Sequence, residues 1–126
     1  MTNDSISHRA VVLIVEDEPL VRMMVMDLFE DEGFEVLEAP DADAALLILE
    51  ARSDIALLFT DVEMPGTLDG YALARWTRRN RPAVKTMIVS GRALPGSGDI
   101  PEGATFLGKP YDHGDVMRRV QTMMAG

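Results

Sequence analysis

The sequence predicts a doubly wound α/β domain, with five parallel strands in the order 2-1-3-4-5 and helices on both faces. Three observations predict it. Short apolar runs alternate with stripes at helical spacing along the chain. The first and third runs, residues 11–15 and 56–60, are almost wholly apolar, which suits strands covered on both faces. Polar residues able to carry chemistry follow the C-terminal ends of four of the five runs, the edge at which such sheets bind ligands.

The elements follow in order. Residues 1–9 are polar and read as a loose arm, with His8 a solvated tail residue; residues 10–126 read as the folded domain. Residues 11–15 are β-branched or Leu throughout and form a buried strand. Glu16, Asp17 and Glu18 follow, with Glu18 a helix cap and Pro19 suited to a first helical turn. Val21, Met24, Val25 and Leu28 make the buried stripe of that helix, and Gly33 stops it. Residues 34–38 are a second, less buried strand. Asp41 or Asp43 caps a helix with Ala42, Ala45, Leu46 and Leu49 on one face. The third strand ends at Asp61, because Met64-Pro65-Gly66 is a turn. Thr67 or Asp69 begins a helix with Leu73 and Trp76 inward, running to about Asn80. Residues 84–89 hold the fourth strand, closed by Ser90. Residues 91–103 contain four Gly and two Pro, so at most one short turn is expected there. Residues 105–107 form the fifth strand, closed by Lys109-Pro110, and residues 112–124 the last helix, with Asp112 a candidate cap and Val116, Val120 and Met123 inward.

Composition narrows the function. The chain has 126 residues and a net charge of −9, which opposes a nucleic-acid or anionic-membrane surface. It has no cysteine, which excludes disulfides, thiol catalysis and Cys-type zinc sites, and fits a cytoplasmic location. No apolar run approaches the roughly 20 residues that span a bilayer. Arg75, Arg78 and Arg79 read as a solvated helix face, His113 as a surface residue and the nine Met as core filler.

The fold gathers Glu16, Asp17, Asp61, Ser90 and Lys109 at one sheet edge. Three carboxylates brought together repel one another and call for a cation. A donor set of oxygens without His or Cys points to a hard metal, Mg²⁺ first, with phosphate oxygens as its natural further ligands. Lys109 adds a fixed positive charge and Ser90 a hydroxyl donor, which leaves Asp61 as a candidate nucleophile for phosphoryl transfer.

The segments Val-Glu-Asp-Glu-Pro, Thr-Asp-Val-Glu-Met-Pro-Gly and Phe-Leu-Gly-Lys-Pro-Tyr resemble the receiver domain of bacterial two-component response regulators, the CheY-like superfamily, over about residues 10–125. The resemblance implies that Asp61 accepts a phosphoryl group from a histidine kinase or histidine phosphotransfer protein and passes the signal to a downstream protein. It implies Mg²⁺ held by Asp17, Asp61 and the backbone carbonyl of Glu63, with Glu16 acting through water or directly. It makes Ser90 and Phe106 the switch pair, Lys109 a phosphate partner, and the Lys109–Pro110 bond cis. Glu63, Gly91 and Arg92 would tune access to the pocket, with Gly91 leaving it open and Glu63 and Arg92 either pairing across its mouth or remaining solvated.

Some features depart from the family pattern. Glu-Asp stands where Asp-Asp is also common. The stretch after Asp61 is one residue longer than usual, so it should bulge. Residues 91–103 leave the family's fourth helix short or replaced by a loop, which phosphorylation would order or shift through Ser90 and Phe106. A free-standing regulator, monomeric or weakly dimeric, is the first expectation, and the terminal domain of a hybrid kinase the alternative. Two other functions compete. A small aspartate-based phosphatase of the haloacid dehalogenase type is echoed by Asp61-Val62-Glu63, but the later threonine and the room for a substrate cap are missing. A receiver-like module that binds partners without phosphorylation is opposed by the intact Asp17, Asp61, Ser90 and Lys109.

Overall fold

The structure, a computed structural model, describes residues 9–91 and 100–125. The expected arm with His8, Arg92, and most of the Gly- and Pro-rich segment lie outside the described residues. The elements run β1 (Val11–Val15), α1 (Pro19–Asp31), β2 (Glu35–Ala39), α2 (Ala42–Ala51), β3 (Ile55–Asp61), α3 (Gly70–Asn80), β4 (Lys85–Ser90), β5 (Thr105–Gly108) and α4 (His113–Ala125). The five strands are parallel and ordered β2-β1-β3-β4-β5, as the sequence predicts. Between β4 and β5, the described residues 100–104 form a turn closed by Ala104 N–H donating to Pro101 O, and no helix.

Alternation along the strands divides the apolar side chains between two cores. Val12 and Ile14 of β1 face α1 and α4, packing with Val25, Phe29, Leu57, Phe59, Met87, Val89, Val116 and Val120. Val11, Leu13 and Val15 face α2 and α3, packing with Ala42, Ala45, Leu49, Ile55, Leu58 and Leu73. Strict alternation would put Ile55 on the face of Leu57. The pairing of β3 with β1 slips by one residue between Val11 and Val12, which turns Ile55 onto the face of Leu58.

Helix boundaries follow capping chemistry. The Asp41 carboxylate accepts from Ala44 N–H at 2.8 Å and that of Asp69 from Ala72 N–H at 2.9 Å, fixing the starts of α2 and α3. Asp112 does the same for α4 through Asp115 N–H at 3.1 Å. Gly33 has φ +93°, the left-handed conformation that ends α1. Two expectations for α1 are corrected. Met24 is 58% exposed, because Val25 and Phe29 centre the buried face and Met24 falls beyond its edge. Glu18 holds the N-cap position, but its side chain makes no cap bond, and the Glu16 carboxylate accepts Glu18 N–H instead.

Charge is divided unevenly. Residues 70–98 hold six of the twelve cationic residues and none of the twenty-one acidic ones. Arg75, Arg78 and Arg79 of this stretch are exposed on α3.

Candidate functional site

β1, β3, β4 and β5 each deliver one part of a pocket at their C-terminal ends. Asp61 is the last residue of β3, paired in register with Val89, so that Ser90 stands one residue further along β4. Ser90 in turn pairs with Gly108 of β5, and Ser90 O accepts from Lys109 N–H at 2.8 Å. This backbone bond brings Lys109 over the pocket, with its Nζ 3.3 Å from Asp61 Oδ1 and 3.6 Å from Glu16 Oε1. The Lys109–Pro110 peptide is cis, as expected.

The acidic pair sits on the turn from β1 to α1. Glu16 is 4% exposed; its backbone N–H donates to Ala39 O, and its carbonyl accepts from Arg22 Nη1 at 2.8 Å. Arg22 also holds Glu38 through Nε at 2.8 Å, which ties the turn to β2. One oxygen each from Glu16, Asp17 and Asp61 lie within 4.8 Å of one another. Asp61 Oδ1 is buried and accepts no hydrogen bond; the Lys109 ammonium at 3.3 Å is a charge contact outside good hydrogen-bond alignment. A buried, unsatisfied carboxylate oxygen among two further carboxylates fits a hard divalent cation.

The electrostatics agree. Burial raises the Asp61 carboxyl above its ordinary range, and the neighbouring Lys109 only partly offsets this. Burial likewise raises Glu16, against the pull of Glu18 N–H and with the Asp61 charge adding to the rise. Burial draws Lys109 down, but the charges of Asp61 and Glu16 outweigh it and leave the ammonium held above its usual value. The pocket therefore carries more negative charge than its one lysine balances.

Two features escape sequence reasoning. A Cβ at Gly70 would overlap the Asp61 carbonyl and crowd Val62 Cα. Gly70 N–H donates to Val62 O at 3.0 Å, so the start of α3 rests directly on the end of β3. The glycine after a capping aspartate was the available signal. The second feature is a hydrogen bond from the Ser90 hydroxyl to Glu63 Oε2 at 2.6 Å. Glu63 thus engages Ser90; the expected alternative of a pair with Arg92 lies outside the described residues.

Phe106 is half-buried and packs against Val62, Ala74 and Ile88 beside the pocket. Gly91 lies against the Lys109 side chain, where an added Cβ would sit 3.6 Å from Lys109 Cβ and Cδ. Gly66 has φ +108° in the irregular stretch between Asp61 and α3. A cavity of about 250 Å³ lined by Arg78, Val84, Lys85 and Ala104 opens at the opposite, N-terminal edge of β4 and β5, away from these groups. No helix among the described residues is long and apolar enough to cross a membrane.

Comparison with known proteins places this geometry. The family model described as the response regulator receiver domain matches residues 12–121. The nitrogen assimilation regulatory protein NtrX of Azorhizobium caulinodans is 36% identical over 105 residues, covering 80% of this chain and 23% of that protein. The response regulator receiver protein CpdR of Brucella abortus is 29% identical over 116 residues, covering 90% of this chain and 95% of that protein. Among solved structures, the receiver domain of the hybrid histidine kinase CckA superposes with a TM-score of 0.77 at 37% identity, covering 90% of this chain and 98% of that one. The chain thus spans less than a quarter of NtrX but nearly all of CpdR.

Proposed function

Because the chain belongs to the response regulator receiver domain family, the signalling domains of two-component systems, we propose that Asp61 is its phosphoacceptor. The observation that carries this is the placement of Asp61: a buried carboxylate with one unsatisfied oxygen, set between Lys109 and the Glu16–Asp17 pair.

The chain's own residues divide the work. An Asp61 oxygen attacks phosphorus, and the bond from phosphorus to the donor's imidazole nitrogen breaks, with its electron pair leaving on the imidazole. Lys109 already lies within reach of Asp61 and Glu16, and its ammonium would follow the phosphoryl oxygens. Ser90 would donate a hydrogen bond from its hydroxyl to one of those oxygens, and Phe106, which pairs on β5 with Ile88 two residues before Ser90, would report the change. Glu16, Asp17, Asp61 and the Glu63 carbonyl would hold Mg²⁺, which supplies neutralisation of phosphoryl charge when bound. Water attack on the phosphorus of the acyl phosphate would break its bond to the Asp61 oxygen, releasing inorganic phosphate and returning the carboxylate, so the domain would catalyse only its own modification and recovery.

The donor would be a histidine kinase or a phosphotransfer protein. In support, α1 exposes Leu20, Met23 and Met24 on its first turns, immediately after the Glu16–Asp17 turn. An apolar strip beside a charged pocket suits a donor that must rest on the surface while its histidine reaches inward.

The test is incubation with a small acyl phosphate and Mg²⁺, read by intact mass. One phosphoryl adduct on the wild type and none on Asp61→Asn is the expected result. The same adduct on Asp61→Asn would sink the assignment.

A further inference from the structure

The Ser90–Glu63 hydrogen bond has no part in the reading above. At 2.6 Å it has the length of a charge-assisted O–H···O⁻ bond. Ser90 is 2% exposed and fixed at the end of β4, whereas Glu63 stands two residues past Asp61, on the irregular stretch leading to α3. The bond therefore ties that stretch to β4 across the mouth of the pocket.

Ser90 has one hydroxyl proton. A phosphoryl group on Asp61 and the Glu63 carboxylate are both anionic acceptors for it, and one proton serves one strong acceptor at a time. Resting on the reading of Asp61 as phosphoacceptor, we propose that Glu63 is a positioning residue that holds the Ser90 hydroxyl in the unphosphorylated domain. A phosphoryl group gains Ser90 only by displacing the Glu63 carboxylate.

Two consequences distinguish this from a general effect of charge. Glu63 slows phosphorylation by withholding a donor that would stabilise the transferring group, so its effect passes through Ser90. Phosphorylation also frees Glu63, which releases the side-chain tie between residues 63–69 and β4 and moves a second segment besides Ser90 itself, while Val62 N–H keeps its bond to Val89 O. A glutamate acting only by repelling an anionic donor would need no serine.

The experiment is a double-mutant cycle on the whole chain. Wild type, Glu63→Met, Ser90→Ala and the double variant are phosphorylated with acetyl phosphate and Mg²⁺, and the rate of adduct formation on Asp61 is followed by intact mass. Glu63→Met keeps the side chain's length and removes the acceptor. It is expected to speed modification about tenfold when Ser90 is present, the scale of a hydrogen bond to a charged group, and to leave the rate within about twofold in the Ser90→Ala background. Glu63→Gln, which keeps an acceptor without the charge, should fall between wild type and Glu63→Met. Equal acceleration in both backgrounds overturns the proposal, because Glu63 then acts by charge alone. No acceleration in either background overturns it as well. A wild type that takes no phosphoryl group removes the phosphoacceptor reading and this proposal together, whereas a modified wild type with an additive cycle removes only the proposal.

Discussion

Gly70 governs the site by an atom it lacks. Any side chain there would meet the Asp61 carbonyl, so α3 could not rest on the end of β3. Gly70→Ala is expected to lower stability by about 2 kcal/mol, the usual scale of overpacking, measured by denaturant unfolding. It should also slow modification by a small acyl phosphate, because the Asp61 peptide must shift. The acidic pair, Asp61, Ser90 and Lys109 were legible from sequence, since each closes a strand and strand ends share an edge. Gly70 was not, because its partner carbonyl lies nine positions back and is brought near only by the turn. Nor was the Ser90–Glu63 bond, whose members are 27 residues apart and whose pairing depends on a side-chain rotamer.

At the level of elements, apolar runs placed all five strands within about a residue, and Asp41 was one of two candidate caps because both Asp41 and Asp43 satisfy the preference. The slip of β3 against β1 left no sequence mark, as Ala56 fits either face. For α1, Met24 and Val25 are neighbours on the helix, and hydrophobicity alone does not say which lies inside; β-branched Val25 and the large Phe29 fill the core, and Met24 joins Leu20 and Met23 outside. That exposed strip carries its own expectation. Met23→Glu should slow phosphoryl transfer from a protein donor about tenfold or more, in line with loss of a central apolar contact, and leave the reaction with a small acyl phosphate unchanged. Equal slowing of both reactions would assign the strip to folding.

Across the whole molecule, the pocket sets a cost that the two cores must cover. Glu16 and Asp61 are both raised in the fold by burial. The folded state therefore binds their protons more tightly than the unfolded chain does, and this pair lowers stability as pH rises from the ordinary carboxylate range through the folded values. Mg²⁺ binding requires the ionised forms and works in the opposite direction. Melting curves should show a larger Mg²⁺-induced rise at pH 7.5 than at pH 5, and Asp17→Asn should reduce that rise at the higher pH. A rise independent of pH would contradict the carboxylate site.

The separation of charge along the chain bears on how partners meet. α3 touches Asp61 with its first residue, and Arg78 and Arg79 lie about 12 and 14 Å along the helix axis from it. Both distances exceed the screening length of about 8 Å in physiological salt. Arg78 and Arg79 are therefore largely screened from the acidic pocket, and the two regions act on surroundings as separate poles. A tumbling domain so charged presents different faces to a polar neighbour before they touch. A donor with cationic residues around its histidine and acidic ones about a helix length away would be turned into register during diffusion, while a uniformly anionic one would be drawn to the wrong flank.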